Sequence, residues 1–134
     1  MQLILLSYLY AEPELYTNKD TFMVGEHVEV YFSDLDASAN DWIGIYNYDE
    51  SNESYLYWLY TDGNQEFSYE IIESGDIYFS PITLPTGEYE VRLFYNNSYE
   101  LVTSFPFTIT DSCNDIPISN YEDSFRAMSF NIWV

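Results

Sequence analysis

Short stretches of alternating apolar and polar residues occupy most of positions 15–109, and turn-forming residues separate them about every 8 to 12 positions. In the stretch HVEVYFSDL, for example, Val28, Val30 and Phe32 share one side of an extended chain, and Glu29 and Ser33 lie on the other. A period of two indicates a half-buried strand, and no capped stretch has the 3.6-residue period of a helix. The pattern predicts an all-β protein, an antiparallel β-sandwich of about seven to nine strands.

The stretch DWIGIY, at positions 41–46, is apolar on both faces, which is typical of a central strand covered on both sides. Further strands are predicted in SYLYWLYT (54–61), FSYEII (67–72) and DIYFSPITL (76–84). Near the end of the pattern, a turn at positions 85–87 leads into EYEVRLFY (88–95), and YELVTSF (99–105) follows. These last two stretches predict a hairpin.

The register of this hairpin follows from its apolar positions. A two-residue turn would place Glu100 opposite Leu93, with a charge on the core face, so a three-residue loop at 96–98 with a bulge is predicted. The loop sets three pairs opposite each other: Tyr95 with Tyr99, Leu93 with Leu101 and Val91 with Thr103. Pro106 cannot donate a ladder hydrogen bond and is expected at an edge or a bulge.

The sequence LPTGEY at positions 84–89 has the spacing of a tyrosine corner, in which a buried Tyr hydroxyl binds the backbone just upstream. The alternative is that Tyr89 is simply a core aromatic residue. Both interpretations suit a sandwich of two antiparallel sheets.

Composition and charge limit the classes of partner. The chain has 134 residues, enough for one domain, and 47% of them are hydrophobic, so it can fold around a core. Only Lys19, Arg92 and Arg126 oppose 23 acidic residues, and the net charge is −20. Phosphate backbones and anionic lipid headgroups repel such a surface. We therefore expect neither nucleic-acid binding nor direct binding to anionic membranes.

The beginning of the chain has two interpretations. Residues 1–12 include the apolar stretch QLILLSYLYA, which is typical of a secretory signal peptide with Ala11 at the cleavage site, or of a first strand. Cleavage would place the protein outside the cell or on its surface. Cys113 is the only cysteine, which excludes a disulfide within the chain.

Catalytic motifs are missing from this sequence: it has no GxSxG elbow, no HExxH and no glycine-rich phosphate loop. His27, the only histidine, is expected in a strand as an exposed or hydrogen-bonded surface residue. Asp34, Asp36 and Asp41 are candidate Ca²⁺ ligands, although their spacing matches no EF-hand and acidic loop residues are more often simply solvated. We expect no catalysis by this chain and no cofactor in its sandwich domain.

Aromatic residues are concentrated in the middle of the chain, which contains Tyr48, Tyr55, Tyr57 and Trp58. If one face of SYLYWLYT stays exposed, these residues form an aromatic platform for a sugar or a protein partner. The alternative is that both faces are covered or that the tyrosines are scattered.

Four blocks occur in order: GEHVEV (25–30), DWIGIY (41–46), WLY (58–60) and PTGEYEVRLFY (85–95). Together they resemble the immunoglobulin-like accessory domains, related to the SKICH domain, that accompany secreted or membrane-associated phosphoesterases. The resemblance covers about residues 15–110. It implies an immunoglobulin-like sandwich in which Trp42 is the buried tryptophan between the sheets and Asp41 accepts hydrogen bonds that close a loop.

The stretch MSFNIW at 128–133 resembles the opening strand of the endonuclease/exonuclease/phosphatase superfamily. The resemblance implies that Asn131 lies beside a divalent metal and the scissile phosphate, and that Mg²⁺ belongs to a catalytic domain of which this chain holds only the start. The alternatives are an extra sandwich strand or a frayed tail. The expected division is a sandwich at 13–110, a linker at 111–125 and a truncated catalytic domain at 126–134.

The sequence thus predicts a non-catalytic, amino-terminal accessory module of an exported, metal-dependent phosphoesterase. Its expected partners are the missing hydrolase domain and a protein or glycan. A stand-alone carbohydrate- or protein-binding module and a calcium-stabilised adhesion domain are the other hypotheses.

Overall fold

The computed structural model describes residues 11–111, and these form eight strands. None of the described residues is helical, so this part of the chain has no helix that could cross a membrane. In chain order the strands are β1 (Glu14–Thr17), β2 (Thr21–Met23), β3 (Val28–Ser33), β4 (Trp42–Asn47), β5 (Tyr57–Tyr60), β6 (Gly75–Phe79), β7 (Gly87–Phe94) and β8 (Leu101–Thr110).

The strands form two sheets, one with the order β1-β3-β6 and one with the order β2-β8-β7-β4-β5. All neighbouring strands are antiparallel except β2 and β8, which are parallel. This order corresponds to the A-B-E and G-F-C-C′ sheets of immunoglobulin-type sandwiches, with β2 added beside strand G. The predicted all-β sandwich is confirmed.

The core lies between the two sheets and follows the alternation of the sequence. Val28, Val30 and Phe32 of β3 are buried, while the residues between them are half-buried. They belong to one cluster with inward side chains of the larger sheet, among them Ile43, Ile45, Val91, Leu93, Phe107 and Ile109. Full burial of each such side chain contributes about 1.5–3 kcal/mol.

The predicted tyrosine corner is confirmed. The hydroxyl of Tyr89 donates a 2.6 Å hydrogen bond to the carbonyl oxygen of Pro85, and the ring stacks on Phe107 with centroids 5.8 Å apart. The residue is buried, and this burial raises the pKa of the Tyr89 hydroxyl. The corner therefore fixes the connection into β7 while leaving no unpaired hydroxyl in the core.

The predicted three-residue hairpin loop is wrong. Leu93 pairs with Thr103 and Phe94 with Leu101, with a bulge between Leu93 and Phe94, so residues 95–100 stay outside the ladder. The backbone of this loop instead binds the β3–β4 connection, because the Asn97 N–H donates to the carbonyl oxygen of Asn40 at 2.9 Å.

The predicted strand at FSYEII (67–72) does not form either. Residues 61–74 connect β5, at the edge of one sheet, to β6, at the edge of the other, so this segment crosses between layers. Phe67, Tyr69 and Ile71 remain exposed along it. Pro106 lies in the part of β8 that pairs with β7 but not with β2. It is therefore at an open edge of the sheet, as expected.

Several predictions concern residues outside the described range. They are the signal peptide or first strand, which falls mostly on residues 1–10, the linker at 111–125 beyond its first residue, the catalytic-domain start at 126–134, and the single residues Cys113 and Asn131.

Candidate functional site: an aromatic pocket on the outer face of the larger sheet

Trp42 does not lie between the sheets, contrary to what the resemblance implied. Ile43 and Ile45 of β4 point into the core, whereas Trp42 and Tyr46 join Phe94 in a separate buried cluster. Since successive side chains of a strand point to opposite faces, this second cluster lies on the outer face of the five-stranded sheet. Trp42 is 6% exposed there, because neighbouring aromatic residues cover it rather than the other sheet.

The outer cluster depends on the absence of a side chain at Gly44. A Cβ atom at this position would lie 2.9 Å from Cε1 of Tyr46 and 3.1 Å from Cζ3 of Trp42. The Trp42 ring also stacks on Phe94, with centroids 4.4 Å apart, and its indole N–H donates to the carbonyl oxygen of Ser98 at 3.1 Å. The ring is therefore held in one orientation by packing and by a hydrogen bond.

Three further rings stand nearly perpendicular to Trp42 and enclose a small surface pocket. The angles between the Trp42 plane and those of Tyr55, Trp58 and Tyr99 are 77°, 82° and 89°. The corresponding centroid distances are 5.9, 6.3 and 5.7 Å. We call this site the aromatic pocket; its volume is about 180 Å³, and it is lined by Trp42, Tyr55, Trp58, Tyr60, Asn97 and Tyr99.

Asp41 holds one side of the pocket in place. Its fully buried carboxylate accepts hydrogen bonds from the Ser38 N–H at 2.7 Å, from the Ser38 hydroxyl and from the Asn96 N–H at 3.0 Å. Asp41 is thus the loop-closing acceptor that the resemblance implied. Next to Asn96, the side-chain oxygen of Asn97 accepts a 3.1 Å hydrogen bond from the Tyr60 hydroxyl.

A buried ion pair lies beside the aromatic cluster. Arg92 binds Glu90 at 2.8 Å and Oδ1 of Asn52 at 2.7 Å, and its guanidinium lies 4.2 Å from the centroid of the Tyr46 ring. The side-chain amide of Asn52 in turn donates to the carbonyl oxygen of Tyr99 at 3.2 Å. This network therefore reaches the backbone of a residue that lines the pocket.

The network also affects ionisation. Burial opposes the charged form of Glu90, but hydrogen bonds from Arg92 and from the Asp49 N–H outweigh it and hold the pKa of Glu90 below its usual value. Burial raises the pKa of Tyr46 well above that of a free tyrosine, although the Arg92 charge acts in the opposite direction. The Tyr46 hydroxyl consequently stays protonated and donates to the carbonyl oxygen of Asn52 at 2.6 Å.

No model of a known protein family matches the chain, and no curated protein matches its sequence.

The structure brings together two of the four residues predicted to form the platform. Tyr55 and Trp58 line the pocket. Tyr57 instead packs against the inter-sheet core, with its hydroxyl accepting from the Thr83 N–H at 3.4 Å, and Tyr48 is 59% exposed outside the pocket.

Sequence reasoning missed the other lining residues of the pocket, Trp42, Tyr60, Asn97 and Tyr99. Only Tyr60 had a usable signal, because it shares a strand face with Trp58.

The candidate calcium ligands Asp34, Asp36 and Asp41 are not grouped as a metal-binding cluster. Among residues 11–111, no three or more His, Cys, Asp or Glu side chains are grouped so that they could hold a metal ion. Asp34 and Asp36 are exposed, and the Asp41 carboxylate is occupied by Ser38 and Asn96. His27 is exposed, with its ring at a 5.3 Å centroid distance from Tyr78.

The chemistry of the pocket follows from its lining. Five aromatic residues and one amide offer ring faces, hydroxyl groups and a single side-chain N–H₂ group. Such groups bind ligands by stacking, by cation–π attraction and by hydrogen bonding. The arrangement is therefore suited to recognition.

Proposed function

We propose that this chain is a non-catalytic binding module, the amino-terminal accessory domain of an exported, metal-dependent phosphoesterase, and that it binds its ligand in the aromatic pocket. The observation that supports binding most directly is the enclosure of the pocket by Trp42, Tyr55, Trp58 and Tyr99. Two of these rings are partly open to solvent: Tyr55 is 41% and Tyr99 45% exposed. Aromatic rings that surround a pocket of this kind are common in recognition sites.

The phosphoesterase part of the proposal rests on the sequence. The resemblance over residues 15–110 and the superfamily-like strand at 128–133 suggest that a catalytic domain follows the sandwich. In that arrangement the sandwich positions the hydrolase and contributes recognition, and Mg²⁺ binds in the hydrolase. The net charge of the chain is −20, so electrostatic repulsion disfavours binding of the anionic substrate by the sandwich itself.

The second candidate function is a stand-alone carbohydrate- or protein-binding module. The aromatic lining of the pocket favours it, because ring faces can stack on a sugar or pack against a protein side chain whether or not a hydrolase follows.

Two experiments test the proposal. The first is to read the coding sequence downstream of Val134 and to assay the longer product, beside the 134-residue chain, for Mg²⁺-dependent hydrolysis of bis(p-nitrophenyl) phosphate. The accessory role predicts a continuing frame and activity only in the longer product. A stop codon directly after Val134 would contradict this role and leave the stand-alone module.

The second experiment tests binding. Indole N–H signals of the ¹⁵N-labelled chain are followed by NMR while methyl glycosides, amino acid amides and small organic cations are added. We expect at least one class to shift the Trp58 signal. Tyr99→Ala should weaken that binding, whereas Tyr48→Ala, at an exposed position that does not line the pocket, should not. If no class shifts the signal at millimolar concentration, the pocket is not a binding site.

A further inference from the structure

We infer that the aromatic pocket binds a small organic cation, specifically a quaternary ammonium group. This inference rests on the proposed binding function of the pocket and names its ligand class. Three observations support it: the set of rings that line the pocket, the electrostatic field of the chain, and the polar groups of the lining.

The ring arrangement favours a cation over a flat ligand. Because Tyr55, Trp58 and Tyr99 line the pocket together with Trp42, a group in the pocket can approach several rings at once. A cation is attracted to an aromatic ring when it lies within about 6 Å of the centroid, and several rings together form an aromatic cage. A sugar stacks best on one open ring face, whereas these rings stand nearly at right angles to Trp42.

The electrostatic field also favours a cation. The chain has a net charge of −20, and both basic side chains of the described part are already paired, Lys19 with Glu26 and Arg92 with Glu90. Neither of them lines the pocket. The same sheet face already holds one cation over a ring, since Arg92 lies 4.2 Å from the centroid of Tyr46.

The polar groups of the pocket distinguish a quaternary from a primary ammonium group. None of the described residues that line the pocket is acidic, so the lining offers amide and hydroxyl oxygens and no carboxylate. A primary ammonium group carries three N–H donors and would exchange its hydration for these few acceptors without a charged partner. A quaternary ammonium group has no N–H donor, so it loses none.

The test compares choline with its neutral isostere, 3,3-dimethylbutan-1-ol, by NMR titration of the intact chain. The two probes have nearly the same shape, so their difference in affinity measures the contribution of charge. We expect choline to bind about two- to thirtyfold more tightly, the range of one cation–π contact. Binding of choline should weaken as NaCl rises from 20 to 500 mM, because salt screens the field, while binding of the alcohol should not.

Variants locate the site. Tyr55→Ala should weaken choline binding about two- to thirtyfold, Tyr55→Phe should retain it because the ring remains, and Tyr48→Ala should leave it unchanged. Equal binding of the alcohol and choline would overturn the inference. So would a methyl glycoside that shifts the Trp58 signal when choline does not, although the pocket would then still be a binding site. If none of the probes binds, the proposed binding function fails as well.

Discussion

Replacing Asp41 with Asn tests the account of how the pocket is held together. The carboxylate is fully buried and uses one oxygen for the Ser38 N–H, at 2.7 Å, and the other for the Ser38 hydroxyl and the Asn96 N–H. An asparagine has nearly the same shape but only one acceptor oxygen. Its N–H₂ group must therefore face a backbone N–H group at one of these two positions.

The magnitude follows from the bonds that are lost. A hydrogen bond to a charged group contributes about 1.5–3 kcal/mol, and a buried donor left without a partner costs about 1–3 kcal/mol. Since one acceptor remains, we expect Asp41→Asn to lower the free energy of unfolding by about 2–4 kcal/mol. At about 4–8 °C per kcal/mol for a domain of this size, Tm should fall by at least roughly 8 °C.

Urea unfolding at pH 7, followed by tryptophan fluorescence, measures this loss, and Asp36→Asn is the matched control. Asp36 lies in the same connection between β3 and β4 but is exposed, so its change should stay within about 0.5 kcal/mol. If Asp41→Asn unfolds at the same urea concentration as Asp36→Asn, the carboxylate does not hold the loops together and the reasoning is wrong.

Three further outcomes are expected. Tyr89→Phe removes one buried hydrogen bond and should cost about 0.5–1.5 kcal/mol in urea unfolding, whereas Tyr69→Phe, at an 82% exposed position, should cost almost nothing. The pKa of Glu90 is lowered in the folded state, so its contribution to the free energy of unfolding is complete above the unfolded-state pKa of about 4.3 and is lost as the pH falls through the folded pKa. The stability difference between wild type and Glu90→Gln should therefore shrink below about pH 4.3. A difference that stays constant with pH would contradict this assignment. EDTA should leave Tm unchanged, because the protein's own donors occupy the Asp41 carboxylate; a fall of several degrees would favour the calcium hypothesis.

The layers of the fold could be predicted from the sequence because burial on one face produces alternation. Val28, Val30 and Phe32 show it directly, and all three are buried in the core. The tyrosine corner was also predictable, since the turn at residues 85–87, which ends two residues before Tyr89, specifies a local geometry. In both cases neighbouring residues determine the outcome.

The hairpin register could not be predicted in the same way. A shift of two residues keeps every side chain on its own face, so pairing Leu93 with Leu101 or with Thr103 satisfies the same pattern. The choice depends on the bonds from Asp41 and Asn40 to the hairpin loop, which join positions more than 50 residues apart. Long-range contacts of this kind leave no local signal.

The site was only partly predictable for a related reason. A strand that is apolar on both faces, such as residues 42–46, does not indicate which face points into the sandwich, and the placement of Trp42 between the sheets that the resemblance implied is wrong. Tyr55 lies just before β5, so strand alternation does not apply to it, and Tyr99 enters the pocket from the hairpin loop. Composition indicated an aromatic surface, but tertiary packing selects its members.

The most direct test is a set of intermolecular nuclear Overhauser effects recorded on the chain with choline present. The account predicts contacts from the choline methyl protons to the ring protons of Tyr55, Trp58 and Tyr99, and none to the exposed ring of Tyr48, which does not line the pocket. Methyl contacts confined to other parts of the surface, or no contacts at a choline concentration that saturates binding, would contradict it.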